Sequence, residues 1–270
     1  MINNIGQKSA FEFWIGAALV VLIGGITLAG FVYLPYDYNA IDSGSRFLPP
    51  GRNHLLGTDN FGRDVFSRIM AGARYTLLTA LITVAGSAAV GTILGMLSGY
   101  AGGIWDEAFM RLFDTLSSFP GILLALVMVS LMDNSPSTLI LALLILFIPG
   151  FARIMRNGML RYKNRDFALA ARVAGISAPR IIFAHIFPNL LSPLFSASVL
   201  WLSNAILAES TMSYLGLGIQ PPVPSWGRML SESQAFLFNA PWCALSPGIM
   251  IILTVLAFHY LGDWLGAEAP

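Results

Sequence analysis

With 270 residues, 56% of them hydrophobic and 11% charged, the chain has too little polar side chain to cover a water-facing surface, since soluble domains carry about 25% charge. It is read as an all-α polytopic membrane protein, a single transmembrane domain over 1–270. A net charge of +1 gives no signature of a nucleic-acid partner, and a single cysteine, Cys243, excludes a disulfide framework or a cysteine-based metal site.

Charge-free runs locate the elements. A hydrocarbon core about 30 Å thick needs roughly 20 apolar residues at about 1.5 Å each. One Arg or Asp at a helix centre costs roughly 2.5–3.5 kcal/mol, whereas each Leu or Ile returns about 0.3–0.6. The first run, Phe13–Tyr36, predicts a span near 13–34. A signal peptide is the other reading, and cleavage would leave five spans. The 24 uncharged residues exceed the usual apolar core of a leader, and Lys8 is the only basic residue before them, which favours an uncleaved anchor.

The outer loop 35–74 comes next. Its stretch HLLGTDNFGRDVFSRIMAGARYTL turns at Gly57 and offers Thr58 or Asp59 as a helix N-cap. Val65, Phe66, Ile69, Met70 and Ala73 recur on one side; Arg63, Asp64, Ser67 and Arg68 lie on the other, with Asp64 and Arg68 spaced to pair. Two readings stand: an amphipathic helix lying at the membrane interface, or a docking surface for an extracellular partner with Asp59, Gly62, Arg63 and Asp64 as its candidates. His54 lies in this loop with no second His or Cys at ligand spacing.

The second span is expected at about 76–100, where Gly86, Gly91 and Gly95 predict close helix packing. A third follows at about 113–132 and a fourth at about 137–156, with Pro120 and Pro149 as kinks. A fifth is expected near 189–211, with Pro193 a further kink, and a sixth near 244–264. Between Arg153 and Arg180 seven basic residues face one acid, Asp166, which puts the loop 157–187 in the cytoplasm. Six spans then place both termini inside and the loops 35–74 and 213–240 outside. Asp114 and Glu209, near span ends, are candidate cargo contacts or interfacial groups. His259 in the last span reads as a packing residue, and Asp263 closes that span.

The basic loop holds FALAARVAGISAPRIIFAHIFPNLL, Phe167–Leu191. Asn164 is a candidate N-cap, Asp166 complements the helix dipole, and Gly175 supplies a left-handed stop. Phe167, Ala170, Ala171 and Ala174 fall on one narrow apolar stripe. Ser177 caps a second short helix that tolerates Pro179 in its first turn, and Pro188 marks the bend into the fifth span. One reading is a contact with anionic lipid; the other is a stiff lever fixed to a membrane helix.

The order of these residues resembles the cytoplasmic coupling motif of ABC-importer permeases, whose usual pattern is Glu-Ala-Ala, a Gly after three residues, and a later short hydrophobic element closing with Pro. Ala170, Ala171, Gly175 and Pro188 keep that spacing, and His185 with Ile186, Phe187 and Pro188 matches the variant in peptide-type permeases. Leu169 stands where the family has Glu. LLGTDNFGRDVFSRIMAGAR after the first span, and SYLGLGIQPPVPSWGRML at Ser213–Leu230, resemble segments of one permease of dipeptide, oligopeptide and nickel importers.

The resemblance implies a non-catalytic permease carrying peptides or nickel, free or chelated, in a bacterial or archaeal cell membrane. The implied partners are a sister permease in a heterodimer, two cytoplasmic ATPases, an extracellular or periplasmic solute-binding protein, and membrane lipid. ATP and magnesium would belong to the ATPases, so no cofactor is expected in this chain. Its coupling residues would be Arg165, Asp166, Phe167, Ala170, Ala171, Ala174, Gly175, His185 and Pro188. The sequence agrees by what it lacks: Lys8 and Lys163 are its only lysines and neither follows a Gly, so there is no phosphate-cradling P-loop. An ion-coupled secondary transporter working without an ATPase is the alternative. It would be expected to show repeated halves and buried ionisable residues, and no such repeat is legible. Nor is a nucleophile with an oriented base, as an intramembrane hydrolase would need.

Overall fold

A computed structural model describes the backbone of residues 2–267 and the side chains of 12–266. Among the described residues five helical runs are long and apolar enough to cross a membrane: Glu12–Val32 within α1 (Ile2–Val32), α2 (Val65–Ala101), α5 (Pro136–Tyr162), Ala178–Tyr214, and Trp242–Gly266 within α10 (Trp242–Ala267). The fourth of these joins α7 (Ala178–Arg180), a wide π-helical stretch at Ile181–Ile186, and α8 (Phe187–Tyr214).

The third expected span, 113–132, is not one helix. α3 (Gly103–Ser118) and α4 (Gly121–Leu131) meet at 89°. Pro120 has no N–H with which to continue α3, and it holds Phe119 extended at φ −85°, ψ 139°. The short α4 covers only ~16 Å, well below the ~30 Å core, so the bent pair supplies the sixth crossing as a unit. A crossing is needed there. Lys163 Nζ donates to Gly99 O at 2.7 Å and Arg156 forks onto Asp106, which brings the C-terminal ends of α2 and α5 to one side. The chain from Gly102 to the start of α5 must therefore traverse the bundle once.

α2 and α5 form the central pair. A Cβ on Gly91 would sit 2.6 Å from Phe151 Cβ, and one on Gly95 would sit 2.3 Å from Ala152 O. The small residues let the two backbones touch, and they fix the position of α5 and its basic end. α1 and α8 pack against α10, and Ile23, Ile69, Phe151, Ile206 and Ala257 share one buried core.

The second structured region lies at the opposite side from the basic loop. There the expected interfacial helix is overturned. Asp64, rather than Thr58 or Asp59, caps α2 by accepting from Ser67 N at 2.7 Å, and α2 runs from this cap straight through the span. Both of its first-turn faces are enclosed: Val65 and Ile69 on one, Ser67 and Arg68 on the other are at most 2% exposed. Arg68 does not pair with Asp64. Its Nη2 lies 2.9 Å from Glu232 of α9 (Trp226–Ser233), and its Nε lies 3.7 Å from Asp59. Arg63 reaches the same two acids, at 2.6 Å and 3.3 Å. Trp226 is wholly buried, and its indole N–H donates to Ile69 O at 3.1 Å. The far side is thus covered by a layer of loops and α9 held shut by paired charges.

Candidate functional site

The basic side carries the site. α6 (Asp166–Val173) begins at Arg165, which is extended and gives no side-chain cap; the expected cap at Asn164 is corrected to this position, and Asp166 occupies the first turn. Its end is a Schellman motif: Ile176 N bonds Ala171 O and Gly175 N bonds Arg172 O, both at 3.0 Å. Gly175 sits at φ +75°, where a side chain would be strained. This stop gives α6 a fixed direction.

The expected apolar stripe divides between two faces. Ala171 turns inward with Ala168, which is fully buried, and the two pack on Met155 and Met159 of α5, Met96 of α2, and Ile181, Ile182 and Ile186. The small side chains bring α6 close to this floor. Phe167, Ala170 and Ala174 stay outside with Val173 and with Leu169, the residue that stands where the family has Glu; Val173 is 90% exposed. Their spacing, Leu169 to Val173 and Phe167 to Ala170 to Ala174, is a helical signal that the Ala-Ala pair masked. The Arg172 guanidinium lies 5.2 Å from the Tyr100 ring and braces α6 against the end of α2.

The link from α6 to α8 is continuous helix from Ala178, with Ser177 as an extended cap lacking a side-chain bond. Pro188 sits in the first turn of α8 and marks the end of the wide stretch. It has no N–H for Ala184 O and its ring crowds that carbonyl; Phe187 N instead bonds Ile182 O, one residue further back, so the helix widens. His185 lies half-buried in this wide turn and its carbonyl accepts from Asn189 Nδ2 at 2.8 Å. A displacement of α6 therefore reaches α8 through the fixed Ala174–Ser177 turn and the helix that is continuous from Ala178, and α5 through the methionine floor.

The far-side candidates have another environment. Asp59, Arg63 and Asp64 are each under a tenth exposed, and their polar atoms face one another, Glu232, Ser67 or His54. Gly62 sits at φ +77°, pressed against Asp42 O. These residues build the surface layer from within, and Asn60, Phe61 and Leu55 lie nearer the solvent. Asp114 pairs with Arg153 at 3.0 Å, tying α3 to α5. Glu209 is fully buried and accepts from Ser213 Oγ at 2.7 Å. His259 lies outward on α10, 3.4 Å from Asp263, rather than packed.

A model of the family described as "Binding-protein-dependent transport system inner membrane component" matches residues 91–268, a range that includes the whole α6 module. The chain is 39% identical over 249 residues to the dipeptide transport system permease protein DppC of Alkalihalophilus pseudofirmus, covering 92% of this chain and 82% of that one. It is 38% identical over 270 aligned positions to DppC of Haemophilus influenzae, covering 94% and 92%. To the glutathione transport system permease protein GsiD of Escherichia coli O157:H7 it is 40% identical over 230 residues, covering 85% and 74%.

Proposed function

This chain belongs to the family of binding-protein-dependent transport system inner membrane components and is a multi-pass permease subunit of an ABC importer; on that premise we propose that its cargo is a short peptide and that α6 receives the ATP-driven stroke. Such a permease works with a partner ATPase and a substrate-binding protein. The ion-coupled alternative falls with family membership. The relatives above are named for dipeptide and glutathione transport, which favours peptide over nickel as cargo.

In this reading the basic side is cytoplasmic, with both termini there, and the layer with α9 faces the binding protein. A sister permease completes the path as a heterodimer, and two ATPases holding ATP and magnesium sit beneath. The docking role passes from the Asp59–Arg63–Asp64 side chains to the surface that they shape.

The observation that carries the proposal is the exposed Leu169–Val173 edge, with exposed Phe167 on another side, of a helix braced to α2, α5 and the wide turn Ile181–Ile186. Moving a two-state equilibrium from 1:99 to 99:1 needs about 5.5 kcal/mol. Exposed ion pairs give ~0–1 kcal/mol each, so Arg165 and Arg172 are too weak alone. Burying what remains exposed of the three apolar side chains gives roughly 3–5 kcal/mol. Two such helices, one from each permease, meet the requirement where that burial is made in one state and lost in the other.

The test is a cross-link. With Cys243 replaced by Ser, Val173→Cys in the assembled transporter should join to an ATPase subunit through a short thiol cross-linker. Its yield should change between nucleotide-free and ATP-bound states. A Val173→Cys chain that imports peptide and never links to the ATPase would remove α6 from the coupling path.

A further inference from the structure

α5 and α8 run antiparallel, and one seam between them holds two grooves. The groove nearer the far side measures about 350 Å³; Gly121 and Ile122 of α4 join Leu146, Phe147, Trp201, Leu207 and Ala208 in its apolar wall, and Asn204 and Thr211 are its polar members. The groove nearer the basic side measures about 240 Å³ and contains Asn157, Asn189 and Ser192 beside Leu190 and Pro193. Both approach or reach the size of small-ligand pockets, although only one chain walls them. Trp201 lines the far-side groove and lies, along α8, between its other lining residues and those of the second groove. Its ring is 4.9 Å from Phe147 and 5.8 Å from Phe151, and it covers Gly150 so closely that a Cβ there would be 2.4 Å from Trp201 Cζ2.

The three asparagines are exposed on the surface of membrane-spanning helices. Among the described residues the Asn204 amide reaches only Leu200 O, at 3.4 Å, and Asn157 has no side-chain partner. Asn204 lies within the expected fifth span, where lipid tails offer nothing to an amide and leaving one unpaired is unfavourable; Asn157 and Asn189 lie at the basic ends of α5 and α8 beside Arg161. The lining mixes small residues, Gly121, Ala208, Gly158 and Ser192, with the bulky Trp201, Phe147 and Leu207, so the seam is open in places and barred in others. Its polar groups are neutral, and each asparagine both donates and accepts, as a peptide group does. No acid lines either groove, and the one cation, Arg161, lies at the basic mouth.

We propose that the α5–α8 seam is this chain's wall of the cargo path. Asn204, Asn157 and Asn189 contact the backbone amides of a passing short peptide, and Trp201 is the apolar bar between two chambers. This rests on the permease reading above. It assigns recognition to main-chain groups, so cargo side chains of differing character pass equally.

The experiment uses the complete transporter in proteoliposomes, in the Cys243→Ser background, with radiolabelled dialanine as probe. Asn204→Cys and Asn157→Cys should react with a membrane-impermeant charged thiol reagent at least tenfold faster than Ile252→Cys on the exposed apolar face of α10. Dialanine uptake should fall at least fivefold in Asn204→Leu and be largely kept in Asn204→Gln. Slow labelling of both cysteines in vesicles that import dialanine overturns the seam assignment alone, as does full uptake by Asn204→Leu. A wild-type complex that imports no peptide with ATP and binding protein overturns the transport reading beneath it.

Discussion

The two ends of the bundle differ in what their buried layer is made of: ion pairs on the far side, and methionine, isoleucine and alanine on the basic side. On the far side Arg63 and Arg68 share Asp59 and Glu232, Asp64 holds His54 and Ser67, and the Trp226 indole finds a backbone carbonyl. On the basic side Phe167, Leu169 and Val173 face water, and among the described residues Arg165 and Arg180 have no carboxylate within 4.0 Å. The far layer pairs most of its buried charge internally, leaving Arg68 Nη1 without a partner among the described residues and Phe238, Ile41 and Leu55 exposed at its rim. A region that exposes apolar and cationic groups on a rigid support is one half of an interface. Sequence motifs mark both ends equally; only packing tells which of them is closed.

The sharpest way to break this contrast is at the closed end. Glu232→Ala strips Arg68, which is 2% exposed, of its nearest partner and leaves Asp59 at 3.7 Å. Leaving a buried charge uncompensated costs about 3 kcal/mol here, the lower end of the usual range because Asp59 remains near. The unfolding temperature of the detergent-solubilised chain should drop by several degrees, and Glu232→Gln should recover part of the loss. An unchanged melting curve would mean that the far layer is not held by its charges.

The open end should respond in function rather than stability. Gly175→Pro cannot keep φ +75°, since proline fixes φ near −65°. Val173→Glu puts a charge on the most exposed apolar position of α6. Each variant should reach the membrane in normal amount and melt with the wild type, while peptide uptake falls at least tenfold. Loss of uptake together with loss of protein would make α6 an ordinary structural helix and erase the difference between the ends. Arg172→Ala should have a smaller effect. It removes a cation–π contact worth about 0.5–1 kcal/mol at an exposed site, so uptake should fall no more than about fivefold. A larger loss would assign Arg172 to the partner's surface.

How much of this was legible beforehand depended on how local the cause was. The all-helical membrane class, the glycine packing of α2 and the left-handed stop at Gly175 follow from short-range chemistry and read directly from the chain. Pro120 was legible as a kink, but the 89° break was not, because the angle depends on what α3 and α4 pack against. The Asp64–Arg68 pairing failed for a related reason. Spacing along a helix proposes a partner, and Glu232, far away in sequence, offered a closer one. The α6 stripe failed at Ala171 because alanine fits either a buried floor or an exposed face, and only the methionines beneath it decide. Val173 and Leu169 stand at helical spacing, but the Ala-Ala pair beside them carries the motif and hides their shared edge.

The smallest expected effect lies at the rim of the closed layer and shows how far closure extends. Asp42 caps a single turn, accepting from Gly44 N at 3.0 Å and Ser45 Oγ at 2.6 Å. The Ser45 hydroxyl first, and the Gly44 N–H second, hold its carboxyl below the usual carboxylate range. A lowered folded-state value means that the cap's contribution is complete above ~4, the unfolded carboxylate value, and is lost as pH falls through the lower one. Amide exchange at Gly44 and Ser45, corrected for intrinsic rates, should therefore be constant from neutral pH to about 4 and accelerate only below it. Asp42→Asn should flatten that dependence. The amides around Arg68 and Trp226 should show no matching change, because Asp42 lies outside their ion cluster. If they loosen together with the rim, the layer opens as one cooperative unit, and its closure is far weaker than the buried pairs imply.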